Sequence, residues 1–260
     1  MSELRWVRME SLDNGVRVLT LDRPPVNALG REMVDDLTRA AAQIAGDDAA
    51  RCVVVRSAGK NFSAGADLKE RKEMSIDEVP RFVKKLVGAV NAVAALPVPT
   101  IAAVNGVAAG GGCELALGCD LRILSSDARI GLRETALAII PGAGGTQRLP
   151  RLVGPSRAKR WIFTAALHSA EEALADGVAD RVVPVDRLDE ESREMAALIA
   201  SNGPVGIRQA KLAIDGGLEL SLDRALDLEW ECWKGTLETE DRVEALRAFA
   251  EKRPPRFRGR

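Results

Sequence analysis

At 260 residues, with 46% apolar side chains and a formal net charge of −1, the chain is long enough to bury a substantial core. A near-neutral surface gives no global attraction for nucleic acid, so any anionic ligand must be met by a local cluster. A single histidine, His168, and four cysteines with no CxxC pair exclude most zinc constellations, and no charge-free apolar run reaches about 18 residues. The opening Met1-Ser2-Glu3-Leu4-Arg5-Trp6 has neither a secretory nor a transit pattern. A soluble, reducing, cytoplasmic setting is expected, with Cys113 and Cys119 as buried, inert thiols.

Along the chain, Gly15 to Leu21 alternates apolar and polar residues between two turns and predicts a strand. Glu32 to Ile44 places Met33, Leu37, Ala40, Ala41 and Ile44 on one helical stripe. Cys52 to Val55 predicts a buried strand, Val79 to Leu96 a helix stopped by Pro97-Val98-Pro99, and Thr100 to Val104 another strand. Strands interleaved with helices indicate α/β packing. Past about Asp186 the pattern becomes helix after helix: 188–200, 205–214, 220–233 and 239–250. Thr239 reads as an N-cap followed by dipole-matched acids, and Ser169 as the cap of a helix to Asp176 that leaves His168 in an exposed loop. The chain divides into an α/β core, 1–195, and a helical region, 196–260. That region suits subunit contact, and Trp230 and Trp233 lend it support, although core packing explains any one tryptophan more simply.

Three segments carry candidate chemistry. Asn61-Phe62-Ser63-Ala64-Gly65-Ala66-Asp67-Leu68 leads from a strand into a charged helix, where small residues expose backbone and the Ala66 N–H faces outward. Asp67 alone reads as a first-turn acid. Val104 to Leu115 contains Gly110-Gly111-Gly112, and a run of glycines implies unusual φ or close backbone approach. The helix that follows puts the Gly111 N–H at its positive end. Glu114 lies in an otherwise apolar stretch, where an unpaired charge is costly. Glu134 precedes Pro141-Gly142-Ala143-Gly144-Gly145-Thr146, and its plain alternative is a solvated ion pair with Arg133 or Arg148. No glycine run here is followed by Gly-Lys-Ser/Thr, no GxGxxG follows a strand, and no GxSxG is present. Two acids beside exposed backbone donors suit chemistry at a carbonyl or thioester.

Taken in order, these segments resemble the crotonase, or enoyl-CoA hydratase/isomerase, superfamily, over nearly the whole chain from Arg23-Pro24-Pro25 to Arg253-Pro254-Pro255. The resemblance implies repeated ββα units in two roughly perpendicular sheets, with a C-terminal helical region that assembles trimers or dimers of trimers. It implies an acyl-CoA partner, with no cofactor besides the coenzyme A carried by the substrate. The N–H groups of Ala66 and Gly111 match the oxyanion donors, and Glu114 and Glu134 the acid/base pair of enoyl-CoA hydratases. Gly142, at a helix start, matches a donor near the catalytic water. Ala64, Asp67 and Leu68 match the CoA-contacting stretch, while Phe249 and Lys252 match C-terminal positions that reach CoA from a neighbouring subunit. The resemblance is nearest to the branch with methylglutaconyl-CoA hydratases, some of whose members bind RNA. The basic tail is the local support for such binding, but no aromatic platform interleaves it, so nucleic acid is not the expected partner. Acyl selectivity is expected from the 70–80 segment and from Trp161 with Phe163, with Lys69, Arg71 or Arg133 as possible cations for an acidic acyl group.

Overall fold

The computed structural model describes residues 4–260. A six-stranded sheet is built from β1 (Val7–Ser11), β2 (Val16–Leu21), β3 (Cys52–Ser57), β4 (Thr100–Val104), β6 (Leu121–Ser125) and β9 (Arg181–Val183), in that spatial order. The β1–β2 pair is antiparallel and the others are parallel, so each later connection is a crossover. A second, three-stranded sheet orders β5 (Val107–Ala109), β7 (Arg129–Gly131) and β8 (His168–Ser169).

Both faces of the larger sheet are covered. One packs on α1 (Arg31–Ala45), α3 (Glu78–Ala94) and α4 (Gly111–Gly118) through Leu19, Leu21, Val53 and Val55, against Leu37 and Leu86. The other packs on α8 (Leu188–Ala200) through Val16, Val18, Val54 and Ile101, against Leu188 and Ala196. The polar positions of β2 are buried too, on opposite faces: Thr20 lies on the α8 side with Val16 and Val18, and Arg17 on the α1 side with Leu19 and Leu21. Arg17 is paired with Asp47 at 2.7 Å and Thr20 accepts from Arg56 at 3.0 Å. Residues 195 and 196 lie within α8, which belongs to the sheet.

The α1 stripe forms as its periodicity predicts, with Met33, Val34, Leu37, Ala40, Ala41 and Ile44 buried. Full burial of each large one contributes about 1.5–3 kcal/mol. Gly30 brings no side-chain cap to α1; the Arg31 N–H donates instead to Glu70 Oε2 at 2.9 Å. Glu70 sits on α2 (Leu68–Glu73), so this contact ties the two helix starts together. The remaining core helices are α5 (Gly145–Val153), α6 (Pro155–Thr164) and α7 (Ala170–Asp176). Ser169 caps α7 in a capping box with Glu172.

His168 is a correction to the sequence reading. It is buried, 7% exposed, because it pairs with Ile130 in β8 and its ring stacks on fully buried Trp161 at 4.0 Å.

After α8 come α9 (Pro204–Gly217), α10 (Leu222–Lys234) and α11 (Glu240–Ala250), with Thr239 accepting from the Arg242 N–H as N-cap. These helices expose Leu212, Ile214, Leu222 and Leu226. Trp230 and Trp233 are not in the core; they stack on each other at 5.0 Å, each about half exposed. Lys211 of α9 anchors this region to Asp120 of the core. The C-terminal strand of chain folds back: buried Asp241 accepts from the Arg258 and Gly259 N–H groups at 2.6 and 2.7 Å. Among the described residues no helix is long and apolar enough to cross a membrane.

Candidate active site

The two N–H groups anticipated as oxyanion donors are brought together. Ala66 is held between two bonds to Leu29, whose N–H donates to Gly65 O at 2.8 Å and whose O accepts from the Asp67 N–H at 3.2 Å. That pins the segment in an extended bridge and leaves the intervening Ala66 amide pointing away. Gly111 opens α4, where the first N–H has no intrahelical acceptor. A Cβ placed on Gly111 would lie 3.5 Å from the Ala66 nitrogen, so the two amides are neighbours.

Both amides border a cavity of about 400 Å³ whose wall also holds Glu114, Glu134, Gly142, Ala143 and Arg71. Phe82, Val83 and Leu86 of α3, with Ile139 and Ile140, supply its apolar surface. Glu114, on the first turn of α4, is 2% exposed, and its Oε1 accepts from the N–H groups of Ala143 at 2.6 Å and Gly145 at 2.9 Å. Burial pushes its carboxyl up, while those two amides and the charge of Arg148 act the other way.

Glu134 starts a 3₁₀ turn, Glu134–Leu137, that follows β7. It makes no ion pair with Arg133 or Arg148. Arg133 donates to Ala165 O at 2.5 Å, and the buried Glu134 Oε2 has no hydrogen-bond partner. Burial, then the negative charge of Glu114, raises its carboxyl to about 7. Gly110 explains how Glu134 fits. Its φ of +53° belongs to the left-handed half of backbone space, and a Cβ there would come 2.8 Å from Glu134 Oε1.

Gly142 lines the cavity, but the helix begins three residues later: Gly144 is the N-cap of α5, and the amides that serve Glu114 are those of Ala143 and Gly145. The signal available in the sequence was Gly144-Gly145-Thr146, a helix entrance whose first amides must find an acceptor. The α3 wall was also readable in principle, since Phe82 and Leu86 are four apart on one helical face. Of the expected selectivity residues, Arg71 lines the cavity, whereas Trp161 is in the core with its Nε1 on Asp176 at 2.7 Å and Phe163 is 71% exposed elsewhere.

Ala64 and Leu68 are exposed, two residues either side of Ala66 in the chain. Asp67 caps α2, accepting from the Lys69 and Glu70 N–H groups, and pairs with Arg23 at 2.7 Å. Phe249 is 86% exposed on α11, and neither it nor Lys252 borders the cavity within this chain. Two cations of the basic tail are paired internally, Arg253 with Glu244 and Glu251, and Arg260 with Glu240. No group of three or more His, Cys, Asp or Glu suited to a metal occurs among the described residues. All four cysteines are free and buried, and burial pushes Cys119 up to about 12.

A paired-amide hole beside one buried and one half-buried carboxyl, on a largely parallel α/β core with helical C-terminal extension, defines a crotonase-type protein. Residues 11–260 match the family described as Enoyl-CoA hydratase/isomerase, and the chain belongs to that family. It is 45% identical over 263 residues to mouse "Methylglutaconyl-CoA hydratase, mitochondrial", covering 99% of this chain and 84% of that protein. It is 47% identical over 254 residues to "Probable enoyl-CoA hydratase 2, mitochondrial" of Arabidopsis thaliana, covering 97% and 84%. The crystal structure of an enoyl-CoA hydratase from Bacillus anthracis superposes with a TM-score of 0.97 at 44% identity, covering 98% of this chain and 100% of that one.

Proposed function

We infer that the protein adds water across the double bond of a 2-enoyl-CoA thioester to give a 3-hydroxyacyl-CoA. The observation that carries this reading is the convergence of Glu114 and Glu134 on one cavity with the Ala66 and Gly111 amides. As water adds, negative charge moves onto the thioester oxygen. Two preorganised N–H donors stabilise that enolate-like state more than the ground-state carbonyl, each by about 3 kcal/mol. Glu114, held by two amides, orients the water and accepts its proton as the oxygen bonds to C3. Glu134, whose carboxyl is raised to about 7 and lacks a partner on Oε2, holds a proton and delivers it to C2. A proton passing from Glu114 to Glu134 after product leaves restores the pair. An isomerase needs only one such base, which favours hydration over double-bond migration.

Coenzyme A enters as part of the substrate, and the reaction calls for no separate cofactor. Ala64 and Leu68 would meet its adenine through backbone, with Phe249 and Lys252 supplied by a neighbouring copy in a trimer or dimer of trimers. The buried thiols fit a reducing compartment, the cytoplasm or, as in the relatives' names, the mitochondrion. Loss of the conjugated enoyl-thioester absorbance with crotonyl-CoA tests the reaction; no loss at micromolar enzyme overturns it.

A second, narrower reading is hydration of a branched, acidic substrate of the methylglutaconyl-CoA type. Arg71 favours it, being a cation on the cavity wall with no carboxylate paired to it among the described residues. Comparing acidic and neutral enoyl-CoA substrates of equal length separates the two.

A further inference from the structure

Arg148 is absent from the cavity wall, yet its contacts bear on Glu114. It lies on the first turn of α5, half-buried. Its Nη1 donates to Ala143 O at 3.1 Å and its Nη2 to Asn91 Oδ1 of α3 at 2.7 Å. Gly144, with φ +110°, lets the guanidinium lie against the turn: a Cβ there would come 2.0 Å from Nη1. Ala143 thus accepts from Arg148 through its C=O and donates to Glu114 through its N–H. Both hydrogen-bond partners of the guanidinium are neutral, which is a costly setting for a half-buried cation unless a charge lies close by.

We propose that Arg148 is a positioning residue for the hydration: it anchors the 142–145 turn so that the Ala143 and Gly145 amides stay on Glu114, and it is the counter-charge of that carboxylate. This rests on the reaction inferred above. The attraction runs both ways, with Glu114 opposing the effect of burial on Arg148 and Arg148 opposing it on Glu114. The other groups near Glu114 do not replace it. Glu134 is acidic, the adjacent Cys113 thiol is held protonated by burial, and the charge of Arg71 acts on Glu134. The effect is an unequal bias on the pair: Arg148 favours the ionised form of Glu114, while burial and the charge of Glu114 favour the protonated form of Glu134, the division that general base and general acid require.

The test uses the full chain, with the Glu114 carboxyl followed by ¹³C NMR in the ligand-free protein and assigned through Glu114→Gln. Arg148→Gln should move the pH at which Glu114 ionises upward by about one unit and carry the acid limb of kcat/KM upward with it. It should also lower kcat by about 100-fold with KM little changed, because the turn is released. Arg148→Lys keeps the charge but loses the fork, so the limb should stay while kcat falls. An unmoved Glu114 titration in folded Arg148→Gln overturns the proposal. If that variant does not fold, Arg148→Lys and Asn91→Ala carry the test, and wild-type kcat in both overturns the anchoring role. A chain without hydratase activity whose Glu114 titration still shifts in Arg148→Gln keeps the electrostatic role and loses the reaction.

Discussion

Around Glu114 the α/β core supplies a partner for nearly every polar atom it buries, whereas α9–α11 leave apolar side chains facing outward. In the core, even the buried Arg17 and Thr20 of β2 have partners, and Glu114 is met by two amides. In the C-terminal helices Leu222 is 73% exposed and Trp233 51% exposed. The contrast teaches that the carboxyls and amides of the candidate site are brought together within one chain, while the helical region presents apolar side chains at its surface, the kind of patch that contact surfaces carry. Glu134 Oε2 and His168 Nε2 are exceptions inside the core, and of the two only the glutamate borders the cavity, where an unsatisfied acid is what a proton donor requires.

The largest break in that contrast comes from the carboxyls. Glu114→Gln and Glu134→Gln should each lower kcat by about a thousandfold while the thermal transition stays within a few degrees of wild type. Near-normal turnover in both variants would defeat the assignment. On the other side, the proposed trimer is tested by light scattering on Leu222→Asp with Trp233→Asp, whose mass should fall to that of a monomer with near-ultraviolet signatures of the core retained. A wild-type mass distribution would show that this face is not the contact surface.

Gly110→Ala tests how tightly the site is preassembled. Its Cβ would enter a sparsely populated backbone conformation costing about 1–3 kcal/mol and would collide with Glu134 Oε1. Activity should fall further than stability; equal, small changes in both would mean that Glu134 moves aside freely.

The pH effects are smaller. Because Glu134 is raised to about 7, kcat/KM should decline as pH rises through that region, and Glu114→Gln should bring the decline to lower pH by removing a neighbouring negative charge. A carboxyl raised in the folded state costs stability as pH climbs from its unfolded value through its folded one. Glu134→Gln should therefore raise the melting temperature at pH 8 and leave it unchanged at pH 4; a uniform shift at both would assign the effect to packing.

Much of the fold was readable because its elements carry local signals. The α1 stripe, the buried run at β3, the Pro97 stop and the Ser169 and Thr239 caps all act within a few residues of where they are written. The His168 reading failed because burial depends on Ile130 and Trp161, which are far or differently oriented in sequence. Trp161 misled as a pocket wall for the same reason. Of the site, Glu114 was legible as an acid stranded among apolar residues, but its donors, the Ala143 and Gly145 amides, were not, because turn geometry decides which amide faces inward.

By itself the order of residues determined the helices, the strands, the glycine-rich turns and the two acids, since propensity, periodicity and capping act over a few residues. Only the tertiary structure decided that Ala66 and Gly111 share one hole, that Arg148 acts on Glu114, and that Glu134 Oε2 is left without a partner. Those outcomes depend on distance and desolvation between segments tens of residues apart, and both come into being only when the chain packs.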